Sequence, residues 1–142
     1  MSLEDSDKQI LRIMGNASLP IRKAAKRKAR AKIKANNGFT FTRKGTTYEI
    51  EPRTIEKSIG NIPLKRARAF MVDVGYRAGN RKYDGWFAHF VDAGTAKRET
   101  KAGANRGSIE PQNIMQAGIK GIPKTQAKLN KEILKFIRKN AK

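Results

Sequence analysis

One stretch constrains the fold of this chain more than any other: Trp86-Phe87-Ala88-His89-Phe90-Val91-Asp92-Ala93-Gly94-Thr95. It gathers the sole Trp and the sole His into a mostly apolar run. Such a run, closed by a turn signal, predicts a strand covered on both faces. After Thr95 the apolar signal stops for a dozen residues. Asp92-Ala-Gly-Thr therefore reads as a tight strand exit, with Gly94 supplying backbone conformations that other residues resist. An ordinary loop start explains that glycine equally well. On this reading Trp86 lies in the centre of the core, and Trp86→Ala costs about 3–5 kcal/mol.

The rest of the chain arranges itself around that strand. Ser6 caps a short helix over residues 6–15, Gln9 completes a capping box, and Gly15-Asn16 stops it. Ser18 and Pro20 open a second helix running from Ile21 to Ala35, rich in Ala, Lys and Arg. Its apolar side is thin (Ile21, Ala24, Ala25, Ala29, Ile33), which suits close packing on a sheet. Its other faces carry cations with no acid to pair them, and like charges at helical spacing repel. Arg22, Lys23, Lys26, Arg27, Arg30 and Lys34 are the candidates to face nucleic acid. The competing reading is a merely solvated basic face, favoured by the absence of interleaved aromatics for base stacking.

Phe39 to Ile50 alternates around Arg43-Lys44-Gly45 and predicts a β-hairpin. Thr54 to Gly60 reads as one helical turn or a loop, with Pro63 preventing a longer helix. Phe70 to Tyr76 is a strand with Phe70, Val72, Val74 and Tyr76 on one face, returning antiparallel through a loop at 78–85 to the Trp86 strand. Residues 96–107 show no periodicity, as expected of a functional or disordered loop. A helix over Gln112 to Lys120 carries Ile114, Met115 and Ile119, until Gly121 and Pro123 interrupt it. Thr125 caps a last helix striped by Leu129, Ile133, Phe136 and Ile137 and widened by Leu134. The expected architecture is a single α+β domain over 1–142. A small antiparallel sheet of about four strands, the hairpin included, packs against the N-terminal basic helix and the C-terminal helix.

Composition narrows the function. No Cys and one His leave neither a disulfide framework nor a thiolate or His-cluster metal site. No apolar run is long enough to span a bilayer, and no signal-peptide core stands out; the expectation is a soluble protein that stays where it is made. Against 12 acids stand 32 Lys and Arg, a formal charge of +20, which steers a protein toward polyanions, nucleic acid first. For acid–base chemistry only Asp84, His89 and Asp92 are concentrated, and on an alternating strand His89 falls opposite both acids. No nucleophile elbow, phosphate-binding Gly-Lys-Thr loop or acid cluster occurs. No catalytic residue, cofactor, metal or small-molecule substrate is expected.

The run Trp86 to Lys97 resembles the signature of the head–tail joining, or tail-completion, proteins of long-tailed bacteriophages. That family shows an aromatic pair followed by Ala, an apolar pair, an acid, and Gly-Thr before a basic loop; here the residues are Trp86, Phe87, Ala88, Phe90, Asp92, Gly94 and Thr95. Ile109-Glu-Pro-Gln-Asn-Ile-Met-Gln-Ala117 matches the family's proline-marked entry into a helix in outline. Two elements depart: Thr54-Ile-Glu-Lys-Ser58 lacks the glycine of the family's Thr-Gly-x-Leu-x-x-Ser, and Pro111-Gln-Asn-Ile stands for Pro-Phe-Leu. The resemblance implies a non-enzymatic virion protein of the neck or tail end. Such a protein assembles as a ring in the host cytoplasm and touches connector or tail-tube proteins, and DNA where the genome passes. It also implies that loop 96–107, with Lys97, Arg98, Lys101 and Arg106, is an assembly arm that orders against a neighbour. A non-specific nucleic-acid-binding basic domain is the alternative.

Overall fold

The computed structural model describes residues 2–31, 37–67, 69–78, 83–97, 99, 101–103 and 107–141. Helix α1 (Leu3–Ala17) begins earlier than expected, because Ser2 rather than Ser6 is its cap: the Ser2 hydroxyl accepts from Asp5 N at 3.1 Å. It also runs past Gly15-Asn16, and Gly15 is instead a contact point for the ring of Pro63. Helix α2 (Leu19–Arg30) follows after Ser18, with Pro20 in its first turn as expected. It ends at Arg30, short of the expected Ala35, because Ala31 turns extended at ψ 102°; Ile33 and Lys34 lie outside the described residues.

Strands β1 (Phe39–Arg43) and β2 (Thr46–Ile50) form the expected hairpin, Phe39 opposite Ile50 and Arg43 opposite Thr46. Lys44 and Gly45 both adopt positive φ, +51° and +78°, as a two-residue turn matching the strand twist requires. A short helix α3 (Thr54–Ser58) leads directly into β3 (Ile59–Arg66), which pairs antiparallel with β4 (Ala69–Tyr76).

That pairing corrects two expectations. The Phe70–Tyr76 strand, whose alternating face is as expected, pairs with residues 59–66 and not with the Trp86 stretch. Pro63 sits within β3, opposite Val72. A two-stranded ribbon leaves each strand one open edge, and there a proline without an N–H costs no ladder bond. The fold is α+β, and the four strands among the described residues form two antiparallel pairs.

The Trp86 stretch is not a strand. After a turn at 86–87 it forms helix α4 (Ala88–Ala93). The turn is tied down where Asp84 Oδ1 accepts from Trp86 N at 3.1 Å and Gly85 O accepts from Ala88 N at 2.9 Å. The burial period is helical: Phe87, Ala88 and Val91 are buried, whereas Trp86 and Phe90 are 42% and 45% exposed. Spacings of three and four, not two, were therefore the informative signal in this run. Trp86 is not the core's centre.

Helix α5 (Ile114–Ile119) is shorter than expected, and Ile119 points outward. Helix α6 (Ile122–Asn140) starts at Gly121 rather than at Thr125, with Pro123 in its first turn. The core gathers Ala25 and Ala29 of α2, Ile55 of α3, Ile59 of β3, Phe87, Ala88 and Val91, and Ile114 of α5. Helix α1 lies on β3 and β4, α2 lies on α5, α3 and β3, and α6 lies on α1 and α2. The α1–α2 junction is pinned by Asn61, whose Nδ2 donates to Gly15 O at 2.7 Å and to Ser18 Oγ at 2.8 Å.

Candidate functional site

Two surfaces collect the residues that sequence reasoning singled out: the end of α4 and the cationic side of α2.

At the end of α4, Asp92 accepts from the backbone N–H groups of Ile114 and Met115, the latter at 3.2 Å to Oδ1. It therefore caps α5 from a distant point in the chain and places negative charge at that helix's positive end. The closing carbonyls of α4 are used as well: Val91 O accepts from Gln112 N and Asp92 O from Asn113 N, both at 3.1 Å. Gly94 then turns at φ +75°, ψ 176°, a conformation nearly confined to glycine. A Cβ there would lie 2.7 Å from Ile109 O and 2.9 Å from Pro111 N. Thr95 closes the clasp: its N donates to Ile109 O at 2.9 Å, and its hydroxyl accepts from Ile109 N at 3.0 Å.

Of the seven motif residues, Phe87 and Ala88 are thus core, Asp92 is a cap, and Gly94 and Thr95 form the stem of loop 96–107. Gly94 is a requirement of close approach rather than an ordinary loop start. Trp86 and Phe90 face outward, with the His89 ring 3.9 Å from that of Phe90. Lys97 and Lys101 are exposed beyond the stem; Arg98 and Arg106 lie outside the described residues. Tyr76 packs against the core nearby, and burial first, then the Asp92 carboxylate, raises its phenol well above its ordinary range.

The cations of α2 divide. The expectation that none has an acid partner is overturned by Glu56, a buried carboxylate from α3. Arg30 donates to Glu56 Oε1 through Nε at 3.0 Å and Nη2 at 2.6 Å, while Arg53 Nε donates to Oε2 at 2.8 Å. Burial opposes ionisation of Glu56, but the two guanidinium groups outweigh it and hold its pKa below the usual carboxylate range. The Glu56 bond in turn raises the pKa of Arg30. Arg22 donates to Ile59 O and Asn61 Oδ1, each at 3.3 Å. Arg22 and Arg30 are therefore fastenings of α2 to α3 and β3, not free cations. Lys26 is half-buried among them, its pKa lowered by burial first and by Arg22 next.

Lys23 and Arg27 remain exposed, one turn apart. They form one wall of a groove of about 390 Å³ whose other wall is Lys120, Gly121 and Lys124. Lys120 and Lys124 were missed in the sequence because they lie nearly a hundred residues from α2. One signal could have found them: residues 8–48 and 111–131 contain no Asp or Glu at all.

Among the described residues no three His, Cys, Asp or Glu side chains gather as metal ligands, and no helix is long and apolar enough to cross a membrane. No family model, curated protein or solved structure matches the chain.

Proposed function

We propose that this chain is a non-enzymatic structural protein of a bacteriophage neck or tail end, acting in head–tail joining or tail completion by assembling with copies of itself and with connector or tail-tube proteins. The observation that carries the assembly reading is helix α6. Its 19 residues include Leu129, Ile133, Leu134, Phe136 and Ile137, yet none of its residues is buried, and Leu134 and Ile137 are each 53% exposed. Leu129, Ile133 and Phe136 are half-buried, while Ile122, Leu134 and Ile137 are exposed, and large apolar side chains left open on one helix mark a surface that associates. Trp86 and Phe90 add two more, beside the clasp that closes the basic loop. The assignment to the neck or tail end rests on the resemblance carried by residues 86–97 and 109–117.

Light scattering tests it. The wild-type chain is expected to form a ring-sized oligomer, alone or on addition of connector or tail-tube protein. Leu134→Ser combined with Ile137→Ser is expected to return it to a monomer with an unchanged circular dichroism spectrum. A wild-type chain that stays strictly monomeric and binds neither protein would overturn the reading.

A second reading, non-specific contact with nucleic acid, is supported by the two acid-free segments that line the α2 groove. It is compatible with the first, since phosphate contacts need no sequence reading.

A further inference from the structure

The geometry points to the groove between α2 and the start of α6 as a seat for the phosphodiester backbone of nucleic acid, held by Lys23 and Arg27 on one side and Lys120 and Lys124 on the other. This inference rests on the nucleic-acid reading and is independent of ring assembly.

The groove is built by close backbone approach. A Cβ at Gly121 would fall 2.6 Å from Ile21 N and 2.7 Å from Pro20 C, so only glycine lets the start of α6 lie on the first turn of α2. Gly118 of α5 makes a looser approach, its would-be Cβ 3.3 Å from Ile21 Cγ2. This contact brings together two pairs of cations, each spaced four residues along the chain, that are remote in sequence. All four are exposed. Among the described residues none of them makes an ion pair or side-chain hydrogen bond, in contrast to Arg22 and Arg30 on the same helix.

Four like charges around one concavity repel one another, and a concave wall focuses their field on whatever anion enters. The start of α6 adds the partial positive charge of a 19-residue helix at the same place. The lining (Pro20, Lys23, Ala24, Arg27, Lys120, Gly121 and Lys124) contains neither an acid nor an aromatic ring. Without an aromatic there is no platform for base stacking. None of the lining side chains can accept from an amino group on a base edge. The groove therefore suits phosphate and reads no sequence.

The test is fluorescence anisotropy with a labelled 30-base-pair duplex of mixed sequence, titrated across salt concentrations. Two full-length variants carry the same charge change. The groove variant is Lys23→Gln, Arg27→Gln, Lys120→Gln and Lys124→Gln; the control is Lys44→Gln, Lys131→Gln, Arg138→Gln and Lys139→Gln. Thermal melts matching the wild type establish that both fold. The groove variant is expected to lose at least about tenfold in affinity, and its salt slope to fall by about 3 to 4 units, near 0.9 per lost phosphate contact. The control is expected to lose under about threefold. Equal losses in the two variants would mean diffuse attraction and overturn the groove while leaving nucleic-acid contact standing. A wild-type chain that binds no duplex even at low salt would overturn both. Displacement of the duplex by polyglutamate at equal charge concentration would overturn the preference for phosphate.

Discussion

Helices α2 and α6 reverse what their compositions promise. Helix α2 offers the core little more than alanine and is crowded with cations, yet Ala25 and Ala29 have no exposure at all. Helix α6 carries six large apolar residues, Ile122 among them, and not one is buried. The difference lies in how close each helix can come to its neighbours. Alanine lets α2 approach α5, α3 and β3 at backbone distance, and two of its arginines then bond across the contact. The branched and aromatic side chains of α6 hold it at the rim, half covered by α1 and α2. Between these two helices, burial follows close approach rather than side-chain size.

The strongest way to break this contrast is to compare one residue from each side. Ile114 has no exposure and packs in the α2 cluster. Ile114→Ala is expected to cost about 2–5 kcal/mol, with the unfolding temperature falling on the order of 10 °C. Leu134→Ala on α6 is expected to stay within about 0.5 kcal/mol when measured on the monomer. Thermal melts of the two variants at one dilute concentration give the comparison directly. If Leu134→Ala destabilised the monomer as much as Ile114→Ala, α6 would be core after all.

How much of this was legible follows from the range of each signal. The hairpin was, because Lys44-Gly45 and its flanking alternation are a local code. The α+β class was, because the order of elements is. The partner of β4 was not: a proline in mid-strand argues against a ladder until it is known that the strand has an open edge. The α4 helix was missed because a short apolar run hides its period. Phe87, Ala88 and Val91 mark one face, but Trp86 and Phe90 fill the others with equally apolar residues. At the candidate groove, Lys23 and Arg27 were named from sequence and Lys120 and Lys124 were not, since only the Gly121 contact joins them. The bonds of Arg22 and Arg30 were not legible because their partners, Asn61 and Glu56, belong to elements whose placement no local pattern specifies.

Glu56 sharpens the contrast on the α2 side. Its carboxylate is nearly enclosed while the two arginine side chains are 65% and 51% exposed. Glu56→Gln removes the charge but keeps an acceptor, and it leaves the arginines largely solvated. The expected loss at neutral pH is therefore about 1–2 kcal/mol, well short of breaking a fully buried pair. The pH dependence has a definite direction. Because the folded-state pKa is depressed, the contribution is fully present above the unfolded value of about 4.3 and is lost as pH falls through the lower folded value. Urea melts of wild type and Glu56→Gln are expected to differ at pH 7 and to converge toward pH 3. A gap that persisted unchanged to pH 3 would mean the side chain acts through packing and not through charge.

A small effect is expected at Trp86, where size would predict the largest. Deleting a fully buried Trp costs about 3–5 kcal/mol. Trp86 is 42% exposed, and its ring meets Phe87 edge-on with centroids 5.9 Å apart. Only part of its area leaves water, so Trp86→Ala is expected to cost about 1 kcal/mol. Phe87, its neighbour in sequence, is 7% exposed and lies in the core cluster, and Phe87→Ala is expected to cost about 3–5 kcal/mol. The pair locates the covered side of residues 86–87, and Ala88 distinguishes helix from strand. On a strand with one covered face the neighbours would likewise differ, but Phe90 would then rank with Trp86 and Ala88, on the exposed side, and a larger residue would be tolerated at Ala88. In α4 Ala88 has no exposure, so Ala88→Leu is expected to destabilise by overpacking while Phe90→Leu is not. Stability losses at Phe87 and Ala88 with small ones at Trp86 and Phe90 place the two inner residues in the core cluster and the two outer aromatics at the surface.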